Sequence, residues 1–338
     1  MAATDVFVIG GGPAGLAAAI AASRKGMRVV VADGDRPPID KPCGEGLMPD
    51  SRALAERLGI DLPAAMGYEF RGIRFRGSGR SVAADFPSGP GIGVRRTVLH
   101  RALVQAAEQA GVEFRWSSPI SGIAGIKARW IIGADGSSSL VRRWAGLDAT
   151  VRSSRRHAYR QHFAVAPWTD YMEIYWGTGC QIYVTPVAAN EVCVALVSQT
   201  PHLRLEEALD RFFPALRERL PEVTAATRER GSVTGNVGLR AVTRGNVALI
   251  GDASGSVDAI SGEGICLSFR QAEILAHAMS VGDLASYNRA HPRLGLRPYV
   301  MARTMLMLDH SETIQGWALA ALSAQPWVFR RLVGVHVA

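Results

Sequence analysis

Three glycines near the start of the chain have the spacing of a phosphate-binding loop. Gly10, Gly12 and Gly15 follow the pattern G-x-G-x-x-G, directly after an apolar run and at the start of an alanine-rich stretch. The first glycine permits a tight turn, the second lets a pyrophosphate approach the backbone, and the third lets a helix pack on a strand. Free N–H groups at the start of such a helix bind phosphate. The stretch therefore predicts a dinucleotide site, the alternative being a glycine-rich turn without a ligand.

An acid follows the next apolar run and narrows the choice of dinucleotide. Asp33 ends the segment RVVVAD, the strand after the predicted helix. A carboxylate there can accept hydrogen bonds from ribose hydroxyls, and it disfavours a 2′-phosphate. We therefore expect FAD or NAD rather than NADP.

Two later strands end in an aspartate that follows a glycine closely, which favours FAD over NAD. Asp135 closes WIIGAD, and Asp252 closes NVALIGD. Each carboxylate can turn onto a ribityl hydroxyl. Gly264 and Ile265 then begin a helix whose N-terminal dipole would face the polar edge of a flavin, where negative charge develops on reduction. We expect both residues to contact the cofactor.

The elements that must position these residues fall into two kinds. The N-terminal third alternates strand and helix, whereas strands between 151 and 240 have a period of two, typical of antiparallel strands with one buried face. The segment 69–92 is expected to join that second region as an insertion. The predicted class is α/β, with a Rossmann-like FAD-binding domain, an interleaved antiparallel β-sheet substrate domain and C-terminal helices. The predicted boundaries are 1–68, 93–150 and 241–290 for the FAD-binding domain, 69–92 and 151–240 for the substrate domain, and 291–338 for the C-terminal helices.

At this point the chain resembles a known family. The motifs GGGPAG, RRTVLHRAL, GADG and GDASG…GEGI occur in the order found in flavoproteins with the p-hydroxybenzoate-hydroxylase fold. The resemblance covers the cofactor half of the chain and implies FAD. It also implies a cofactor-contacting arginine, which matches Arg96 through its R-x-x-L spacing with Leu99.

One loop indicates a branch of that family. The stretch KPCGEGL at 41–47, together with GEGI, is similar to the geranylgeranyl-reductase-like branch. That similarity implies that Cys43 lies near the flavin as a proton donor or gate, or simply as a small packed residue, and that Gly44 lets the loop wrap the cofactor. Tyr183 is expected on the cavity wall as a second candidate catalytic residue, since a tyrosine could also give the proton, with core or surface packing as the alternative. Flavin-dependent halogenases resemble the chain less, because it lacks their lysine and their Trp-x-Trp-x-Ile-Pro box.

Two reactions remain open for such a flavoprotein. The first is an NAD(P)H-driven monooxygenase that hydroxylates a lipophilic aromatic or polyketide-derived substrate. The second is a reductase of an isoprenoid or polarised C=C bond. The loops favour the reductase, but a poor match to its aromatic-rich substrate box and the short chain weaken that reading, so we expect hydroxylation. A flavin-binding protein without turnover is a third alternative. The sequence holds no second G-x-G-x-x-G, so NAD(P)H would act as a transient reductant.

Composition limits the partners of the protein. The 338 residues carry a formal net charge of +8, but the basic residues are dispersed, and we expect no nucleic acid. Four cysteines without a CxxC pair, and histidines without metal-ligand spacing, suggest a reduced cytoplasm and no metal site. No stretch is long and apolar enough to span a bilayer.

The tail interleaves Met, Leu and Trp with Arg, which predicts helices packed on the body or, alternatively, a surface that meets membrane lipid or a lipophilic small-molecule substrate.

Overall fold

Two β-sheets organise the computed structural model, which describes residues 4–220, 225–309 and 311–337. The strands of the first sheet are, in spatial order, β17 (Thr243–Arg244), β18 (Val247–Leu249), β9 (Ala128–Gly133), β1 (Thr4–Ile9), β2 (Val29–Ala32) and β8 (Glu113–Arg115). All neighbours run parallel except β17 and β18. The central strands are almost continuously apolar, as parallel strands covered on both faces must be.

Helices rich in small side chains pack tightly around this sheet. These are α1 (Pro13–Ser23), α3 (Arg96–Gln109) and α7 (Gly264–Val281). Helix α1 contacts both α3 and α7, and its residues from Gly15 to Ala22 are all buried. Its six alanines leave room for helices on either side, so α1 has no polar face.

The second sheet is mostly antiparallel. Its strands are, in spatial order, β15 (Arg230–Thr234), β11 (Arg156–Phe163), β14 (Glu191–Ser198), β13 (Cys180–Ala188), β12 (Tyr171–Gly177), β5 (Gly72–Gly77) and β6 (Arg80–Asp85). Strand β12 pairs with β5 in parallel, and the other neighbours are antiparallel. Two strands of the segment 69–92, β5 and β6, therefore extend the sheet formed by the middle of the chain.

Both faces of the second sheet are buried, which corrects the expectation of one buried face. Ile182 and Val184 pack under α5 (Leu205–Phe212) and α6 (Pro214–Arg217). Ile174 and Trp176 on the opposite face pack with residues of the C-terminal helices. Successive side chains do alternate between the two faces of the sheet, as the period of two predicts. The face expected to meet solvent instead meets a second apolar layer.

The remaining α-helices and strands complete the fold. They are β3 (Gly46–Leu47), α2 (Pro49–Arg57), β4 (Tyr68–Phe70), β7 (Gly91–Gly93), α4 (Leu140–Trp144), β10 (Thr150–Ser153), β16 (Val237–Leu239), α8 (Leu284–Leu294), α9 (Leu296–Leu308), α10 (Glu312–Ala324) and α11 (Pro326–His336). The architecture confirms the predicted class of a parallel α/β unit, an interleaved antiparallel sheet and C-terminal helices. The exact domain boundaries stay predictions. Among the described residues, no helix is both long and apolar enough to cross a membrane.

Candidate functional site

One cavity of about 1700 Å³ lies where the strands of the first sheet end. Residues directly after three parallel strands line it: Gly12 follows β1, Gly136 follows β9, and Asp252 follows β18. The carboxyl ends of parallel strands are the usual ligand site of open α/β sheets. The geometry therefore brings three of the predicted motifs to one place.

The three glycines of the first turn have different roles, two in packing and one at the cavity. A Cβ at Gly10, where φ is +112°, would lie 2.3 Å from the carbonyl oxygen of Ala134. A Cβ at Gly15 would lie 1.9 Å from the carbonyl oxygen of Gly10. A Cβ at Gly12 would meet nothing within 4 Å, because Gly12 faces the cavity. The outer glycines permit close packing, and Gly12 leaves space for a ligand.

Asp33 stabilises the glycine-rich turn through hydrogen bonds to the backbone. One carboxylate oxygen accepts from the N–H of Gly11 at 2.6 Å, and the other accepts from the N–H of Asp35 at 2.8 Å. Asp33 does not line the cavity. Its predicted contact with ribose stays a prediction, and the observed role is to hold the turn.

Asp252 and Asp135 occupy equivalent strand ends but differ in their partners. Within the described ranges, no hydrogen bond reaches the Asp252 carboxylate, which lines the cavity and is exposed to the solvent in it. Burial raises its pKa, and Lys41 and Arg96 oppose that shift. A lone carboxylate in such a place fits a hydroxyl-bearing ligand.

Asp135, in contrast, caps helix α4. Its carboxylate accepts from the Ser139 hydroxyl at 2.5 Å and from the N–H groups of Leu140 at 2.7 Å and Val141 at 3.1 Å. It does not line the cavity, although Gly136 beside it does. Its contact with a ribityl group stays a prediction.

Arg96 supplies buried positive charge to the cavity. It is the first residue of α3, it lines the cavity, and its Nη1 is buried without a hydrogen-bond partner. Burial lowers the pKa of its guanidinium. A buried cation with an unmet donor indicates an anionic ligand.

The N-terminus of α7 also points to an anion. Gly264 and Ile265 line the cavity and open this helix of 18 residues. The Leu267 N–H donates to the Glu263 carbonyl, just before the helix. The preceding N–H groups thus carry the positive end of the helix dipole. These observations fit FAD, which Gly12, Arg96, Asp252, Gly264 and Ile265 would hold.

Cys43 lies in the cavity wall with Gly44 beside it. Its Sγ accepts from the Glu45 N–H at 3.4 Å, and burial raises the pKa of its thiol. The thiol therefore keeps its proton near neutral pH. The Cys266 thiol, by contrast, donates to Asp50 at 3.2 Å, and all four cysteines are free.

Tyr183 is buried and lines the cavity. Its hydroxyl donates to the carbonyl of Ile260 at 2.7 Å and lies 3.0 Å from the Gln181 side-chain oxygen. Burial raises its pKa well above the ordinary value. The predicted wall position agrees with this geometry, and its part in catalysis stays a prediction.

A buried polar cluster behind the Cys43 loop escaped the sequence analysis. Glu45, His162 and Cys193 place their ligand-type atoms within 4.8 Å of one another. Arg160 lies in the same cluster, with its Nε 3.9 Å from a Glu45 oxygen. The guanidinium opposes a metal cation, so we interpret the group as a hydrogen-bonded support. The only sequence signal was an acid in the glycine-rich stretch KPCGEGL.

The far part of the cavity is apolar. Its walls come from the second sheet and the C-terminal helices, and they include Phe75, Met172, Trp176, Met305 and Phe329. The rings of Phe75 and Trp176 stack with centroids 4.7 Å apart. This part of the cavity suits a lipophilic molecule next to the cofactor.

Comparison with known sequences identifies an FAD-binding domain in the N-terminal part of the chain. The family model described as "FAD binding domain" matches residues 3–124. A menaquinone reductase of Mycobacterium tuberculosis H37Rv is 29% identical over 321 residues, covering 83% of this chain and 78% of the relative. A digeranylgeranylglycerophospholipid reductase of Methanothrix thermoacetophila is 29% identical over 317 residues, covering 82% of this chain and 79% of the relative.

Solved structures show the same fold. A geranylgeranyl bacteriochlorophyll reductase-like protein of Thermoplasma acidophilum aligns with a TM-score of 0.77 and 21% identity, covering 92% of this chain and 89% of the other. A 2-methyl-3-hydroxypyridine-5-carboxylic acid oxygenase aligns with a TM-score of 0.73 and 23% identity, covering 96% of this chain and 94% of the other. At these identities the structural likeness establishes the fold, which reductases and oxygenases share.

Proposed function

We propose that this chain, which is an FAD-dependent oxidoreductase with the p-hydroxybenzoate-hydroxylase fold and belongs to the geranylgeranyl-reductase-like branch, reduces a C=C bond of an isoprenoid lipid. The sequence had led us to expect hydroxylation. The reductase alternative is now preferred because of the shape and lining of the cavity and the names of the relatives.

The apolar extension of the cavity carries the proposal. At about 1700 Å³ the cavity exceeds the ~300–1,000 Å³ of an ordinary small-molecule pocket. Polar groups for the cofactor lie at one end, and the side chains of Ile174, Trp176 and Met305 lie at the other. This division leaves space for a long lipophilic molecule beside FAD.

The relatives support the same substrate class. One is named for menaquinone and another for digeranylgeranylglycerophospholipid. Both compounds carry isoprenoid chains, and the second name specifies geranylgeranyl groups. A lipid of this kind would place its chain against the apolar walls of the cavity.

The residues of this chain would bind, orient and protonate the substrate. FAD, when bound and reduced, would supply a hydride. Cys43 lines the cavity and holds its thiol proton near neutral pH, so it could give that proton to the neighbouring carbon. Hydride and proton together add two hydrogen atoms across the double bond. The apolar walls would exclude water from the reacting carbons.

The hydride must come from an external reductant. The sequence holds one G-x-G-x-x-G stretch, which serves the resident dinucleotide. We propose that NAD(P)H reduces the flavin during a transient visit. Reduction of the bound flavin by NADH and by NADPH, followed by its absorbance without oxygen, tests this step.

Anaerobic turnover separates the two reactions. Purified FAD-loaded enzyme would be reduced and mixed with a geranylgeranyl lipid or menaquinone in the absence of O₂. We expect a product that has gained two hydrogen atoms for each reduced bond, identified by mass spectrometry. A product that forms only with O₂ and carries ¹⁸O from ¹⁸O₂ would overturn the proposal and establish the hydroxylase. Flavin that NAD(P)H reduces no faster than free flavin would favour a protein without turnover.

Cys43→Ser tests the proton donor, and Cys266→Ser is its matched control. Cys43→Ser should slow product formation more than it weakens FAD binding, because a hydroxyl in that place is a poorer acid. Cys266 bonds Asp50 outside the cavity, so its replacement should leave turnover near the wild-type rate. Equal rates for the wild type and Cys43→Ser would leave Cys43 as a packed residue only.

A further inference from the structure

Helix α9 has an apolar outer face. Leu296, Val300 and Met307 are exposed by 59%, 55% and 68%, and their spacing places them on one side of the helix. Arg303 lies on the same side. The opposite side of α9, with Ala302 and Met305, is buried in the core. The outer residues therefore do not contribute to packing of the body.

Helix α11 has a similar face. Trp327, Arg331 and Val335 follow one another at intervals of four residues, and all three are exposed, Trp327 by 62%. Leu332 is exposed next to them, whereas Phe329 and Val333 are buried on the other side. A tryptophan and aliphatic residues flanked by arginine are typical of helices that lie in a membrane interface.

The cavity opens between these two faces. Leu296, Val300, Leu332 and Val335 are exposed and also line the cavity. We call these four residues the apolar rim. A lipophilic molecule could pass from a membrane into the cavity through the rim without crossing water.

The charge around the rim is positive. The sequences of α9 and α11 contain no acidic residue. Arg293, Arg330 and Arg331 are exposed and form no ion pair with any described residue. Basic residues next to an apolar helix face attract anionic lipid headgroups. This complementarity favours an anionic bilayer over a second copy of this basic chain.

We propose that the outer faces of α9 and α11 dock on an anionic lipid bilayer, with the apolar rim turned toward the membrane. The docking does not depend on the reaction proposed above, because lipid binding can be measured without turnover. A protein that binds vesicles but reduces no isoprenoid would separate the two proposals.

Vesicle flotation of the FAD-loaded protein tests the docking. Vesicles of phosphatidylglycerol and phosphatidylcholine should carry the protein upward, and vesicles of phosphatidylcholine alone should carry less of it. Trp327→Ser/Val335→Ser should weaken binding to the mixed vesicles about tenfold. Arg331→Gln should weaken it about fivefold, and only on the anionic vesicles.

Val281→Ser is the matched control. Val281 is exposed by 61%, at the end of α7 away from the cavity. This variant should bind vesicles within about twofold of the wild type, because single exposed apolar residues are common. Retained yellow colour in each variant shows that the fold is intact.

Two outcomes would overturn the docking. The first is no flotation of the wild type, or equal flotation of the wild type and Trp327→Ser/Val335→Ser. The second is a lipid-free dimer in light scattering that the same double variant converts to a monomer, which would assign the faces to a second copy of the chain.

Discussion

The Nε2 atom of His162 lies 2.7 Å from Oε2 of Glu45, and both side chains are buried. The other Glu45 oxygen accepts from the N–H of Arg96 at 2.8 Å. The backbone of Glu45 bonds to Cys43 and Val94. One acid thus ties the Cys43 loop to the start of α3 and to strand β11. Its φ of +60° shows how firmly the surroundings determine its conformation.

Glu45→Ala should destabilise the protein because it leaves the His162 ring nitrogen and the Arg96 N–H without partners. Each unsatisfied buried group costs about 1–3 kcal/mol. We expect a loss of at least about 2 kcal/mol in the free energy of unfolding, measured by urea denaturation. Glu45→Gln keeps an acceptor for Arg96 and should lose less.

Glu69→Ala is the control for that measurement. Glu69 pairs with Arg52 at the surface, at 2.6 Å, with the Glu69 side chain 41% exposed. Such pairs contribute about 0–1 kcal/mol. If Glu45→Ala is no less stable than Glu69→Ala, the support role of Glu45 is wrong.

Gly12→Val and Gly15→Ala should fail in different ways. A side chain at Gly12 meets no protein atom within 4 Å, so the variant should fold but lose FAD, because the side chain occupies the space expected for the pyrophosphate. A Cβ at Gly15 would lie 1.9 Å from a backbone oxygen, so Gly15→Ala should lower the melting temperature. Circular dichroism and flavin absorbance separate the two effects. Wild-type FAD content in Gly12→Val would contradict the assignment of the turn.

Asp252→Ala should lower FAD occupancy with little loss of fold stability, since the carboxylate has no described partner in the protein to lose. Asp135→Ala should do the reverse, because it removes the acceptor of the first two N–H groups of α4, and a lost acceptor at a helix start costs about 1 kcal/mol. Flavin absorbance after gel filtration measures occupancy, and urea denaturation measures stability. Equal FAD loss in both variants would mean that both strand ends contact the cofactor.

Glu263 should make stability depend on pH. Burial raises its pKa to about 7 from its ordinary value of 4.5, and Arg297, 3.2 Å away, offsets this only in part. Asp50, Arg270 and His336 also face this carboxyl group. Between these two values the folded state binds more protons than the unfolded state, so stability falls as pH rises.

Glu263→Gln should remove this dependence of stability on pH. The stabilisation from Glu263 is fully present below about pH 4.5 and is lost as pH rises through about 7, a change of up to about 3 kcal/mol. The free energy of unfolding of the variant, relative to that of the wild type, should therefore rise between about pH 5 and about pH 8 in urea denaturation. Parallel stability curves would show that Glu263 ionises at its ordinary pKa.

Local spacing alone predicted the parts of the site that depend on the backbone. The turn at Gly10, Gly12 and Gly15 needs only a strand, a helix and residues without Cβ, all of which are visible in the sequence. The same holds for Gly264, because a helix start after a glycine-rich loop presents N–H groups wherever it lies. The family motifs then joined these separate turns into one FAD-dependent oxidoreductase.

Tertiary structure decided the side-chain roles. Asp135 and Asp252 each follow the end of a parallel strand, yet one accepts hydrogen bonds from the first N–H groups of a helix and the other faces the cavity. Glu45 and His162 are 117 residues apart in the chain, so no spacing could pair them. The sequence by itself determined which turns can hold a dinucleotide, because backbone conformation is local. Packing alone determined which polar groups meet, where the apolar cavity runs and which helix faces stay outside, because those depend on contacts between distant segments.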